Sequence, residues 1–357
     1  MISILGFDIG GANIKASYII FDDNSGKITS TQVLTYYFPI WRRGKERLGD
    51  AIRKVKDKVC SYNPNLIAIT MTAELSDVYF SKKEGVLHII STIENIFPKE
   101  NIVLLTVDGK LIATDEAIKN PLEVAAANWY ATGWLASKLS ENCLVLDTGS
   151  TTTSIIPVLN GRVAAKGKND TEKLILGELV YTGVLRTNIP AITHYLPYRN
   201  TMVPVSSEYF AQSGDVHIIL GNITEEQYTV DTPDGRGCSH IEAAARLARV
   251  ICADLDLVTM DEIHEIAKYI YEKQVKQIIE GLERLFKNHN VNFRLYPAYV
   301  TGLGGEFLAK VALGKFGFKD IRRLSDYIGF EAAKATPAYA VALMGLEYLI
   351  GEVKMWI

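Results

Sequence analysis

Two aspartates, Asp8 and Asp147, each close an apolar run and are each followed two residues later by a glycine. The first stretch reads Ile4-Leu5-Gly6-Phe7-Asp8-Ile9-Gly10-Gly11-Ala12-Asn13-Ile14-Lys15, the second Leu144-Val145-Leu146-Asp147-Thr148-Gly149-Ser150-Thr151-Thr152-Thr153. Glycine lets backbone N–H groups approach an anion with no Cβ in the way, and Ser and Thr hydroxyls add donors. An aspartate at the strand end is placed to hold a cation, through water, that the anion also needs. Two such loops facing each other would grip a polyphosphate from both sides. Ordinary hairpins with glycine turns would account for one copy alone. Recurrence in the same strand–loop–strand setting favours a phosphate clamp.

Three carboxylates stand where acid–base chemistry could use them. Glu74 and Asp77 follow the apolar run Leu66-Ile67-Ala68-Ile69-Thr70, at the strand end where an open α/β sheet carries its ligands. Glu178 sits in the glycine-bounded stretch Gly177-Glu178-Leu179-Val180-Tyr181-Thr182-Gly183, where a turn-stabilising role is an equal alternative, and Arg186 follows. A further turn, Thr301-Gly302-Leu303-Gly304-Gly305-Glu306, opens a helix at Gly305 and offers a second anion or nucleotide site. Cys238-Ser239-His240 supplies too few ligands for a metal and reads as a capped helix start.

The elements that position these residues are legible as patterns. Each aspartate loop continues into a second apolar run, Ala16 to Phe21 and Ser154 to Leu159, and then a turn at Asp22-Asp23-Asn24-Ser25-Gly26 or Asn160-Gly161. Thr31 to Phe38 reads as a third strand, and Ile102 to Val107 as another. Leu48, Ile52, Val55 and Val59 recur at helical spacing. Asn120-Pro121 opens a helix expected to run through Trp129 to about Leu139, with Trp129 in the core and Asn128 able to reach the site. From Asn188 to Gly237 prolines, tyrosines and polar residues crowd together, with one strand expected at Val216 to Leu220. Capping boxes follow at Ser239/Glu242 and Thr259/Glu262, Asp254 and Asp256 fall between those two helices, and Thr336-Pro337 starts the last helix.

Bulk composition narrows the function. A chain of 357 residues with 48% hydrophobic and 22% charged residues is an ordinary globular protein of two domains or two lobes. A net charge of −3 gives no electrostatic case for nucleic acid or an anionic membrane. Four cysteines, Cys60, Cys143, Cys238 and Cys252, lack paired spacing, which fits reduced thiols and a cytoplasmic location. No signal peptide and no membrane span is expected.

Taken together, the Asp8 loop, the Asp147 loop and the Thr301–Gly305 turn resemble the two phosphate motifs and the adenosine motif of the actin/sugar kinase/Hsp70 superfamily. Within it the chain resembles the archaeal hydantoinase A-like proteins of the tetrahydromethanopterin-linked C1 pathway. Asp8–Lys15, Met71–Asp77, Ala126–Trp129, Asp147–Thr152 and Gly177–Gly183 carry that resemblance. It implies an α/β, two-lobed actin-like fold in which the ribonuclease H-like motif is duplicated. Residues 1–119 plus 336–357 would form the first lobe and 120–335 the second, with an insertion near 188–237. It also implies a transferase of methanofuran biosynthesis that condenses 5-(aminomethyl)furan-3-yl-methyl diphosphate with γ-glutamyltyramine and releases diphosphate. Gly10, Gly11, Asn13 and Lys15 would then contact one phosphate, and Thr148, Gly149, Ser150 and Thr151 the other. Asp8 and Asp147 would position Mg²⁺ through waters, while Glu74, Asp77 or Glu178 takes the phenol proton. Gly302, Gly304 and Gly305 would face a nucleotide or part of a substrate, and Tyr195, Tyr198 or Tyr209 would stack on a furan or phenol ring. The partners are small molecules, and a homodimer is compatible. The alternatives are an ATP-dependent small-molecule kinase or hydantoinase-like hydrolase and, last, a nucleotide-dependent binder that forms filaments or recruits a partner protein.

Overall fold

The computed structural model describes residues 1–98 and 101–351. Six strands form the first sheet: β1 (Ile2–Ile9), β2 (Asn13–Asp22), β3 (Lys27–Tyr37), β4 (Leu66–Met71), β5 (Ile102–Leu105) and β6 (Leu111–Ala113), in the order β3-β2-β1-β4-β5-β6. β1, β2 and β3 make antiparallel hairpins, whereas β4 runs parallel to β1 and β5 parallel to β4. Parallel neighbours need crossovers, and the helices Leu48–Val59 and Lys82–Glu94 supply them.

The second half repeats this plan. Its strands are β7 (Cys143–Thr148), β8 (Thr153–Leu159), β9 (Arg162–Val163), β10 (Leu179–Val180), the separate hairpin β11 (Tyr195–Tyr198) and β12 (Thr201–Pro204), β13 (Ala298–Thr301) and β14 (Ile321–Arg323). The sheet order is β10-β8-β7-β13-β14, with β9 beside β8. In both sheets the strand that ends in Asp is central, its hairpin partner lies on one side and a later strand on the other. The two sheets thus share one mixed α/β plan, the repeat expected from the two aspartate loops.

By internal packing the chain groups into two units. One holds residues 1–145, 156–173 and the chain from 322 on; the other holds 146–155 and 174–321. The helix Asn128–Ser137, which the sequence reading put in the second lobe, belongs to the first unit. It packs on the terminal helix Thr336–Ile350, and Lys138 Nζ lies 2.8 Å from Glu347 Oε1. Of the expected first-lobe segment 336–357, residues 352–357 lie outside the described residues.

One face of the first sheet packs Phe7, Ile9, Ile14, Ile67, Ile69 and Met71 against Leu48, Ile52, Val55, Val59, Val86, Ile89 and Ile93. The helical stripe read from the sequence is thus the buried one; truncating Ile52 to Ala would cost about 2–5 kcal/mol. The other face carries Gly6, Asp8 and Thr70 and receives the terminal helix. A Cβ at Gly6 would stand 2.1 Å from the Ala338 carbonyl oxygen, so helix and strand can meet only over a glycine. Among the described residues no helix is long and apolar enough to cross a membrane.

Two expectations are corrected. Val216 to Leu220 is not a strand but lies mostly in the helix Ser213–Ile219. Gln212 and Asp215 form a capping box, and all seven helical residues are buried, which hides the helical period. The Asn120 helix is also interrupted. A 3₁₀ turn over Pro121–Glu123 ends before Ala126, whose φ of 50° is left-handed, and the α-helix begins only at Asn128. The capping boxes at Ser239 and Thr259 are present as read.

Candidate active site

In the first unit the loop after β1 is closed by one bond, the Gly10 N–H donating to the Asn13 carbonyl at 2.9 Å. The antiparallel register sets Asp8 opposite Lys15, and Lys15 Nζ lies 3.6 Å from Asp8 Oδ2. The Asn128 side chain is close enough to lower the Asp8 pKa, so the broken helix places Asn128 beside Asp8. Asp8 Oδ1 has no hydrogen-bond partner although the residue is buried. Burial pushes the Asp8 pKa above its ordinary value, and Lys15 and Asn128 offset only part of that. Thr70, the register neighbour of Asp8 on β4, has an unpartnered hydroxyl, and Asn13 Oδ1 is likewise buried and unpartnered. Asp8 Oδ1, Asn13 Oδ1 and Thr70 Oγ1, at neighbouring ends of β1, β2 and β4, are thus buried polar atoms with no hydrogen-bond partner among the described residues.

In the second unit the loop after β7 closes in the same way, the Gly149 N–H donating to the Thr152 carbonyl at 2.9 Å. Two further segments brace it. The Val184 N–H donates to the Gly149 carbonyl at 3.0 Å, and the Leu185 and Arg186 N–H groups to the Ser150 carbonyl at 2.9 and 3.0 Å. Arg186 Nη1 reaches Thr151 Oγ1 at 3.3 Å. Gly183 lies so close that a Cβ there would be 2.6 Å from the Thr151 nitrogen. From the other side comes the turn after β13. Gly304 N–H donates to the Thr148 carbonyl at 2.9 Å. Gly302 has φ +80°, and a Cβ on it would lie 2.5 Å from the Thr148 carbonyl oxygen and 2.6 Å from Asp147 Oδ1. Gly305 opens one π-helical turn, Gly305–Ala309, which leads into the α-helix Lys310–Phe316. The Asp147 loop, the end of the 177–183 stretch and the 301–305 turn thus meet at one place, as backbone held against backbone.

The three candidate carboxylates have separate environments. Glu74, in the first unit, is 1% exposed, and neither carboxylate oxygen makes a well-formed hydrogen bond among the described residues. Helix Lys82–Glu94 seals it: a Cβ at Gly85 would lie 2.6 Å from the Glu74 Cα. Burial drives its pKa up to about 8, against a downward pull from backbone N–H groups of Glu74 and Ala126 and from Lys82. Asp77 is exposed, with the Ser76 hydroxyl at 3.5 Å. Glu178, in the second unit, is fully buried, and its Oε1 lies 2.8 Å from His289 Nε2 at the end of the long helix Met260–His289. That bond and the close packing of Gly177 on the Gly281 carbonyl give Glu178 an anchoring place in the fold.

Residues 65–345 match the family described as Hydantoinase/oxoprolinase. The chain belongs to the hydantoinase/oxoprolinase family. A relative from Methanocaldococcus jannaschii is 39% identical over 342 residues, 96% of this chain and 97% of its own length. It is named (4-{4-[2-(gamma-L-glutamylamino)ethyl]phenoxymethyl}furan-2-yl)methanamine synthase. A relative of the same name from Methanococcus vannielii is 34% identical over 213 residues, 59% of this chain and 94% of its own. Among solved structures, a nucleotide-free acetone carboxylase aligns over 95% of this chain and 70% of that one, at 12% identity and a TM-score of 0.53, and so shows the fold.

This hydantoinase/oxoprolinase-family chain also contains functional-looking groups that sequence reasoning missed. Lys82, at the start of its helix, pairs with Asp170 at 2.9 Å. Lys173 is buried with its ammonium 4.2 Å above the Trp129 ring, and Trp129 is in the core as expected. In the second unit Arg246 is fully buried, 2.7 Å from Asp215 and 3.1 Å from Asp234, and Tyr228 donates to Asp215 at 3.0 Å. This knot ties the 188–237 segment to the helix His240–Val250 and is structural. Of the tyrosines, Tyr195 and Tyr209 are exposed, and the Tyr198 hydroxyl donates to the Leu257 carbonyl at 3.2 Å. Among the described residues no three His, Cys, Asp or Glu side chains group to ligate a metal directly. A cation held through water still fits the unpartnered Asp8 Oδ1.

Proposed function

We propose that the chain forms an aryl furfuryl ether. A furan-methyl diphosphate bearing an aminomethyl group is joined to the phenol oxygen of γ-glutamyltyramine, and diphosphate leaves. The observation that carries this reading is identity of 39% along nearly the whole length of the Methanocaldococcus jannaschii synthase.

The residues suit the chemistry. The ring oxygen of a furan delocalises positive charge, so the CH₂–O bond to diphosphate can ionise once the leaving charge is held. In the first unit Gly10, Gly11, Asn13 and Lys15 bind phosphate oxygens; in the second Thr148, Gly149, Ser150 and Thr151 do so. Each within its own unit, Asp8 and Asp147 are candidates to hold Mg²⁺ through water, and such an ion would neutralise charge on a leaving diphosphate. Glu74 is the base. The phenol O–H proton passes to its carboxylate as the O–CH₂ bond forms and the CH₂–O bond to phosphorus oxygen breaks. A buried carboxylate whose pKa lies near 8 is a far better acceptor for a phenol proton than an ordinary glutamate.

The test is incubation with both substrates and Mg²⁺, with mass spectrometry of the products. Ether formation supports the proposal. No ether, with ADP formed from ATP in the presence of a small acceptor, would favour the kinase alternative.

A further inference from the structure

Glu74 opens a short run of chain that changes character step by step. Leu75 beside it is exposed, Phe80 is fully exposed, and Lys82 begins the helix that seals Glu74. The run is held in place: the Phe80 N–H donates to Glu84 Oε2 at 2.9 Å, and Ser81 caps the helix through the Glu84 N–H at 3.2 Å. Lys82 and Gly85 share one helix face, three residues apart and so about 4.5 Å along the axis. Because Gly85 rests on the Glu74 Cα, Lys82 projects from just beyond Glu74. Its ammonium meets Asp170, 88 residues later, at 2.9 Å, with each side chain about a quarter exposed, 25% and 24%. Both charges are felt at Glu74.

We propose that Leu75, Phe80, Lys82 and Asp170 form the subsite for the acceptor, a phenol that carries an amino-acid headgroup. This rests on the ether-forming reading above. A γ-glutamyltyramine molecule presents, in order, an acidic phenol, an apolar ring with an ethyl chain, and a zwitterion. Along the chain run a buried carboxylate, two exposed apolar side chains and a cation, and beside that cation lies one anion. The headgroup carboxylate takes Lys82 and its ammonium takes Asp170. Both protein charges stay paired when the ligand enters, and the partly exposed bridge that opens is a weak one. Exposed Leu75 and Phe80 become covered on binding.

The experiment compares γ-glutamyltyramine with tyramine, which lacks the headgroup, on wild type, Lys82→Ala, Asp170→Asn and Lys82→Arg. Charge-assisted hydrogen bonds set the scale. Lys82→Ala and Asp170→Asn each raise KM for γ-glutamyltyramine about tenfold or more, and each raises KM for tyramine far less. Lys82→Arg restores most of the loss. A bridge that only braces the fold would move KM for both acceptors alike, or lower the melting temperature without separating them, and either result overturns the subsite. Equal kcat/KM of wild type for the two acceptors also overturns it. If no acceptor yields ether, the reaction itself is wrong, a failure distinct from that of the subsite.

Discussion

Replacing Glu74 with Gln should stabilise the protein while disabling it. The carboxylate is buried without a well-formed hydrogen bond, and its pKa rises from the ordinary 4.5 to about 8 on folding. Between those values the folded state holds a proton that the unfolded state has lost. The neutral acid's stability is therefore intact below the unfolded pKa and is lost as pH climbs toward 8. The slope is about 1.4 kcal/mol per pH unit for one group. Over the three units from pH 5 to pH 8 the cumulative loss is about 4 kcal/mol. Glutamine has the same shape and cannot ionise, so this pH-dependent loss disappears. Urea unfolding of both proteins at pH 5 and pH 8 reads the effect. Near pH 5 the two should be within about 1 kcal/mol, and at pH 8 the variant should lead by roughly 4 kcal/mol more. Ether formation by the variant should fall about 10²–10⁴-fold, the range for a lost general base. A stability difference that stays the same at both pH values would refute the burial argument, and full activity would refute the role.

Other outcomes test each unit in turn. The base must be deprotonated to act, so kcat/KM should rise tenfold per pH unit below about 8 and level off above it; a flat profile from pH 6 to 9 excludes Glu74. Gly302→Ala puts a Cβ 2.5 Å from the Thr148 carbonyl at a φ of +80°, which displaces the second loop; kcat/KM should drop by ~10²-fold, checked by steady-state kinetics. Arg246→Met strands the Asp215 charge in the interior and should cost about 3–5 kcal/mol in urea unfolding, while the double variant with Asp215→Leu recovers most of it. Chelating Mg²⁺ should stop ether formation yet leave the urea midpoint unchanged, and ATP should not raise the melting temperature where diphosphate does.

Much of the fold could be read because its signals are local. The Asp-x-Gly pattern sits between apolar runs of strand length, and the same Gly N–H to carbonyl bond, 2.9 Å in each copy, closes both loops. Capping boxes span only four residues and read cleanly at Ser239 and Thr259. The Ser213–Ile219 helix was hidden because burial on every side erases the polar face that marks a helix. The break at Ala126 rests on a left-handed alanine, which no residue-type rule anticipates. The candidate site divides along the same line. Glu74 was visible as a carboxylate after a strand end, but its isolation depends on Gly85 bringing in a helix from another segment. The Lys82–Asp170 bridge joins residues 88 apart, and Arg246 meets Asp215 across 31, so neither leaves a spacing to find. Glu178 has the same local signal as Glu74, and the His289 contact that sets it apart comes from 111 residues away.

The most direct measurement follows one atom. γ-Glutamyltyramine labelled with heavy oxygen at the phenol is mixed with the furan diphosphate, Mg²⁺ and the protein, and both products are weighed by mass spectrometry. The account predicts one ether per diphosphate, all of the label in the ether and none in the diphosphate, because the bond that breaks joins the furfuryl carbon to the diphosphate oxygen. Label recovered in a phosphate product, or diphosphate released without ether, would contradict it.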